Sequence, residues 1–130
     1  MMKRIAILMI SMIMVMGCQG QSETGSQEED TIPQAPEFAL VDVNGDTLRL
    51  SDYQNNVVIV DIWDTWCGPC KMEIPDFIQL QDTYGKQGFV VLGLAIGQEG
   101  IEKVRSFIRD YKINYPVAII NQKVLDDYGP

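Results

Sequence analysis

The 130-residue sequence has no histidine, only three cysteines, and 10 basic residues against 18 acidic ones. Each shortage removes a class of function. A structural zinc site takes four Cys or His ligands. With no histidine, and with Cys18 standing at the end of an N-terminal apolar run, the folded part offers two ligands, Cys67 and Cys70, so no metal is expected. A net charge of −8 leaves no basic face for a phosphate backbone, which argues against nucleic acid as a partner. The N-terminal apolar run, Ile5 to Met16 with Ser11 its one polar member, falls short of the roughly 20 residues that span a bilayer. No cofactor is expected either. What remains is 46% hydrophobic and 22% charged, enough for one globular domain.

The apolar run follows Lys3 and Arg4, the order of a secretory signal. It ends in Val15-Met16-Gly17-Cys18, which resembles the lipobox of bacterial lipoproteins. In that family the chain is cut before the cysteine, which is then lipidated; a smaller residue is usual where Met16 stands. An ordinary signal cut nearby, or an uncleaved anchor, is the plainer alternative. A lone cysteine directly after the run favours the lipoprotein. Residues 1–17 are therefore expected to be a lipoprotein signal peptide and Cys18 the lipidation site. Residues 18–36, rich in Gln, Ser, Gly, Glu and Pro, cannot bury a core and are expected to be a lipid-anchored flexible tether. The anchor would hold the protein at the bacterial cell envelope, with its domain facing the periplasm or the outside of the cytoplasmic membrane.

The folded part is expected over 37–130. "EFALVDV" and "TLRL" flank Asn44-Gly45, the strongest short hairpin signal, in which both central residues take positive φ. Ser51 is placed as the N-cap of one helical turn. "VVIVDIW" (57–63), "FVVLGLAI" (89–96) and "PVAII" (116–120) read as buried strands. Helices are expected from about Cys67 to Tyr84, with Gly85 as the stop, and over "GIEKVRSFIRDYK". In the latter, Ile101, Val104, Ile108 and Tyr111 share one face. A short helix with Asn121 as cap and Gly129 as stop ends the chain. Strands alternating with helices imply a parallel sheet, an α/β fold.

The chemistry concentrates in "WDTWCGPCKMEIP", 63–75, at the C-terminal end of a buried strand and the opening of a helix. A cysteine at the helix N-cap meets unpaired N–H groups and the positive end of the dipole, so Cys67 is placed as the nucleophilic thiolate. Cys70, one turn on, lies in disulfide range and can attack a mixed disulfide on Cys67. Pro69 fits the first turn, where N–H groups have no helical partner. A purely structural Cys67–Cys70 disulfide would close a tiny loop and constrain little unfolded chain. A peroxiredoxin-like peroxidase is the third alternative, since Pro36-x-Phe38-x-Leu40 also opens that family. Thr65 suits it, but the upstream proline is absent and a second cysteine follows at once.

"VDIWDTWCGPCKMEIP" closely resembles the active-site strand and helix of the thioredoxin superfamily. The preceding "PEFALVDVNGDTLRLSDYQNNVVIV" is similar to the TlpA/ResA branch, membrane-anchored thiol–disulfide reductases outside the bacterial cytoplasm. The resemblance implies a thioredoxin-like fold with an N-terminal β-hairpin. It implies Cys67 as attacking and Cys70 as resolving cysteine, with a redox disulfide between them. Trp66 would shield the site, Gly68 and Pro69 complete the motif, and Pro75 kink the helix. Glu73 matches an acidic residue that tunes the cysteines in this branch; a solvated helix face is the plain alternative. Asp61 matches the buried carboxylate that relays protons to the resolving cysteine in thioredoxin, a role its costly burial also suggests. Facing solvent at a strand end is the alternative. Asp64 departs from the family, which places a small uncharged residue there; its charge would oppose the Cys67 thiolate, modestly if exposed.

Gly-Pro between the cysteines matches thioredoxin, a reductant near about −270 mV, rather than DsbA, an oxidant near about −120 mV. The expected activity is therefore reduction of disulfide-bearing protein substrates, such as apocytochrome c or mis-paired secreted proteins. An upstream membrane thiol protein would be the electron donor. A non-catalytic binding module or inert fragment is the alternative. In the family a chain like "YGP" leads into a substrate loop with a cis-proline, two strands and a last helix, so those parts are expected to be missing from the 130 residues. Tyr115-Pro116 opens a strand and is read as an ordinary trans step.

Overall fold

The computed structural model describes residues 34–129. The signal segment 1–17, Cys18 and most of the tether lie outside the described residues. A hairpin of β1 (Ala39–Val41) and β2 (Thr47–Arg49) comes first, followed by a 3-10 turn, Leu50–Tyr53. Then come β3 (Val57–Trp63), α1 (Gly68–Tyr84), β4 (Phe89–Ala95), α2 (Ile101–Tyr111), β5 (Val117–Ile119) and α3 (Gln122–Tyr128). β3, β4 and β5 form a parallel sheet in that order, in register from Val57 opposite Phe89 to Trp63 opposite Ala95. β4 is central and, among the described residues, β3 has β4 as its one sheet neighbour. This is a thioredoxin-like α/β architecture.

The period of two along β4 divides the apolar residues between two cores. Val90, Leu92 and Leu94 pack with Phe38, Leu40 and Leu48 of the hairpin and with Ala118, Ile120 and Val124. Val91 and Ala95 face the other way, against Trp63, Ile74 of α1, Val104 and Phe107 of α2, and Tyr115. Central parallel strands need this apolar character on both faces because helices or loops cover both. The hairpin meets the edge of β5, where the Val43 N–H donates to the Val117 carbonyl at 3.0 Å.

Three local expectations are corrected. The hairpin loop is longer than a two-residue Asn-Gly turn. The Gly45 N–H donates to the Asp42 carbonyl (3.1 Å) and the Asp42 N–H to the Asp46 carbonyl (2.8 Å). Only Gly45 takes positive φ, 99°, as in loops built on a type I turn followed by glycine. The Asp42 carboxylate accepts from the N–H groups of Asn44 (2.8 Å) and Asp46 (2.9 Å), and this Asp turn outcompetes the tighter geometry. Ser51 is not a cap, since the 3-10 turn starts at Leu50 after Arg49, and the Ser51 N–H donates to the Glu37 carboxylate at 3.2 Å. Gly85 is the C-cap of α1, as expected, though it stays helical (φ −55°) and enters a 3-10 turn that ends at Gly88, φ 85°. The buried face of α2 is Val104 with Phe107, while Ile101 and Tyr111 are exposed. Tyr111 stacks on the outer side of α2's own Phe107, ring centres 4.1 Å apart.

All peptide bonds of the described residues are trans, Tyr115-Pro116 included. α3 starts where expected, with the Asn121 side-chain oxygen accepting from the Val124 N–H at 2.9 Å.

Candidate active site

β3 ends at Trp63, and the four residues 64–67 turn the chain into α1. Cys67 is the N-cap, extended at φ −72°, ψ 105°, and its N–H donates to the Asp64 carbonyl at 3.1 Å. Pro69, in the first turn, has no N–H to leave unpaired. The Cys70 N–H donates to the Cys67 sulfur at 3.3 Å, the bond an N-cap side chain usually makes through oxygen. The two cysteines form a disulfide, with their Cα atoms 5.4 Å apart. Both are half-buried, Gly68 and Pro69 are exposed, and Trp66 beside them is 59% exposed. Trp66 thus presents an apolar face outward next to the disulfide. α1 continues through Pro75, whose missing N–H leaves one helical carbonyl without its usual donor.

Beneath this turn, on the α1 side of β3, Asp61 and Trp63 share a face because they are two residues apart. Asp61 is half-buried, and its Oδ2 is buried with no hydrogen-bond partner. Burial first, and the Glu73 charge second, push its carboxyl from 3.8 up to about 6. Glu73 itself is exposed on α1, so its effect on Asp61 acts through space. Two further buried polar atoms lack partners, Trp63 Nε1 and the Tyr115 hydroxyl. Burial, and then the Asp61 charge, raise the Tyr115 phenol above its ordinary value. Gly93 of β4, in register with Asp61, lies between these side chains. A Cβ there would stand 2.9 Å from Trp63 Nε1, 3.1 Å from the Tyr115 ring and 3.2 Å from Val117. Trp63 packs on Phe107, ring centres 4.9 Å apart, and Lys71 of α1 sits 5.8 Å above the same Phe107 ring.

Asp64 is 1% exposed, so the condition under which its charge would act only modestly is not met. Its Oδ1 accepts from the Thr65 N–H at 2.7 Å and its Oδ2 from the Gln98 N–H at 3.3 Å. Thr65, also buried, directs its hydroxyl to the Glu99 carboxylate. The sequence carried a signal for Trp63, which falls on the Asp61 face of a period-two strand. It carried none for Tyr115, Gln98 or Glu99, which reach the site only through the fold. No group of His, Cys, Asp and Glu that could hold a metal ion occurs among the described residues.

Comparison with known proteins accords with this geometry. The AhpC/TSA family matches residues 33–129. The chain is 36% identical over 96 residues to the thiol-disulfide oxidoreductase ResA of Geobacillus thermodenitrificans, covering 73% of this chain and 55% of that one. It is 30% identical over 129 residues to the thioredoxin-like protein YneN of Bacillus subtilis, covering 92% and 74%. Among solved structures, a thiol:disulfide interchange protein of the thioredoxin family from Chlorobium tepidum superposes with a TM-score of 0.69 at 32% identity, covering 76% of this chain and 68% of that one. The chain spans about half the length of the ResA relatives it matches. The chain belongs to the AhpC/TSA family and, within the thioredoxin superfamily, is a ResA/TlpA-like protein.

Proposed function

We propose that this chain carries the dithiol of an extracytoplasmic thiol–disulfide oxidoreductase that reduces disulfides in proteins. The observation that carries the reading is the Cys67–Cys70 disulfide, placed at the first turn of α1 with Cys67 as N-cap. The names of the ResA relatives support the reaction class.

In the reduced protein the Cys67 thiolate attacks one sulfur of a substrate disulfide. A bond forms between Cys67 and that sulfur, the substrate S–S bond breaks, and the departing thiolate takes up a proton. Cys70 then loses its proton and attacks the Cys67 sulfur. The mixed disulfide breaks, the second substrate thiol leaves, and the protein is left as the Cys67–Cys70 disulfide. Two electrons have passed to the substrate. They are restored by an outside dithiol, for which a membrane thiol protein is the proposed donor. Asp61 is the proposed acceptor of the Cys70 proton; a carboxyl near about 6 can both take and return a proton around neutral pH. Glu73 is proposed to tune this step through Asp61, and Trp66 to shield the sulfurs and supply apolar contact to the substrate. The basic start, the apolar run and Cys18 support a lipid anchor on the outer side of the cytoplasmic membrane, with 18–36 as its tether and 37–130 as the catalytic domain.

A peroxidase is the second reading, favoured by the AhpC/TSA match. The Thr65 hydroxyl weighs against it, since it is engaged with Glu99. The deciding experiment measures turnover of a protein disulfide with a dithiol donor, beside peroxide consumption, for the full chain and for Cys67→Ser and Cys70→Ser. Disulfide reduction that Cys67→Ser abolishes, with mixed disulfides trapped by Cys70→Ser, is the expected result. Peroxide consumption without disulfide turnover would favour the peroxidase. Neither activity would leave a binding module.

A further inference from the structure

Asp64 is an almost fully buried carboxylate in the turn between β3 and α1, three residues before Cys67. Burying a charge is costly unless polar partners replace water. Here they do: the N–H of Thr65, next in sequence, and the N–H of Gln98, 34 residues on from Asp64, each donate to one of its oxygens. The same two stretches of chain are tied a second time by the Thr65 hydroxyl and the Glu99 carboxylate. An uncharged acceptor could hold either backbone N–H. The negative charge therefore calls for a separate explanation, and the Asp64 carbonyl already receives the Cys67 N–H.

We propose that the Asp64 carboxylate, with Glu99 as a weaker second charge, sets the redox poise of the dithiol, making it a stronger electron donor than the helix N-terminus alone would allow. The helix dipole and the Cys70 N–H favour a thiolate at Cys67. Asp64 opposes it. In the half-reaction, the Cys67–Cys70 disulfide takes up two electrons and one proton to give the Cys67 thiolate and the Cys70 thiol. The disulfide carries no charge at sulfur, so a nearby carboxylate raises the free energy of the thiolate side alone. Equilibrium shifts toward disulfide and released electrons, the reverse of the stabilised thiolate that makes an oxidant. Asp61 on β3 and Lys71 and Glu73 in the first turns of α1 are the other charged groups next to the dithiol; Asp76 and Asp82 follow further along α1, and α2 carries Lys103, Arg109, Asp110 and the paired Glu102 and Arg105. Lys71 turns to the Phe107 ring, and Glu73 acts on Asp61. The assignment rests on the dithiol being redox-active. Asp64 acts through Cys67 and is a positioning residue, not a catalytic one.

The test is the equilibrium of the full chain with reduced and oxidised glutathione between pH 5 and 9, for wild type, Asp64→Asn and Glu99→Gln. Alongside it, the Cys67 thiol is titrated by thiolate absorbance. At pH 8–9, Asp64→Asn is expected to shift the equilibrium about tenfold toward the dithiol, or about 30 mV. The Cys67 titration should move down with it. At a pH low enough for the titration to show Cys67 neutral in both proteins, the difference should vanish. A clamp without an electrostatic role would give an offset independent of pH, or none, and either outcome overturns the proposal. Glu99→Gln, an exposed change with little risk to folding, should move both readouts the same way by about two- to threefold. If Asp64→Asn does not fold, an unshifted Glu99→Gln suffices to reject the idea. Disulfide turnover by the wild type is read separately. A wild type that turns over beside an Asp64→Asn with identical poise rejects only this inference, whereas a wild type with no turnover rejects the proposed function.

Discussion

Asp61 is where residue-scale electrostatics meet stability. A carboxyl raised from 3.8 to about 6 is one whose charged form the fold disfavours. The difference corresponds to roughly 3 kcal/mol, which partial exposure and screening reduce to about 1–2. The sign follows from linkage. Below pH 4 Asp61 is protonated in both folded and unfolded chains, and there is no penalty. As pH rises toward 6 the unfolded chain ionises first, and stability falls. Above 6 the full penalty remains. Asp61→Asn is therefore expected to be more stable than wild type by about 1–2 kcal/mol at pH 7.5 and equal to it near pH 4, measured by urea unfolding. The same variant should slow resolution of the mixed disulfide most near neutral pH and affect the first attack by Cys67 less. Equal slowing of both steps would count against the proton role. Gly93 makes a packing prediction. Its missing Cβ leaves room for Trp63 Nε1 and the Tyr115 ring, so Gly93→Ala should cost about 1–3 kcal/mol in thermal or urea unfolding. An unchanged midpoint would show that the neighbours can move aside.

At the scale of elements, the start of α1 was open to sequence reading because everything it needs is local. Trp66, Cys67, Gly68, Pro69 and Cys70 specify a cap, a first turn and a dithiol within five residues. The boundaries of β3, β4 and β5 were legible for a similar reason, since a β-branched run buried on both faces looks the same wherever it lies. Asp64 was not legible, because its second donor is Gln98, 34 residues away. Nor was the α2 face, where the apolar spacing alone admitted Ile101 and Tyr111. What selects Phe107 is the Trp63 ring 4.9 Å from it, on another element. The Cys67 cap predicts reactivity: in the reduced protein Cys67 should alkylate before Cys70, and preferential labelling of Cys70 would reverse the assigned roles. The Asn121 cap predicts stability. Asn121→Ala removes the bond to the Val124 N–H and should cost about 1 kcal/mol. Asn121→Asp should restore most of it, since the aspartate retains the acceptor.

For the whole molecule, the consequential feature is the side of β3 that has no strand neighbour among the described residues. Val57 is 68% exposed, and Val58, Val60 and Ile62 are half-buried although they belong to the hairpin-side core. An apolar strand with a free row of N–H and C=O groups recruits other chains. Residues 18–130 expressed by themselves are expected to associate as concentration rises, seen by sedimentation or light scattering. Val57→Lys, which places a charge on that strand, should reduce the association. Monodisperse protein at high concentration in both forms would show that the edge is protected by something the strand order does not reveal.

The disulfide at the start of α1 closes a ring of only a few residues, so forming it changes the unfolded chain very little. Oxidation and folding then make a closed thermodynamic square. Its unfolded side is fixed by the local sequence, and any influence of the fold on electron affinity must reappear as a difference in melting between the two redox forms. A fold that repels a thiolate must hold its oxidised form more firmly than its reduced one. Two melting curves, one with the dithiol and one with the disulfide, therefore measure the same quantity as a redox titration. For this protein Asp64→Asn should lower the oxidised curve relative to the reduced one, and that effect should fade as the Cys67 thiol becomes protonated.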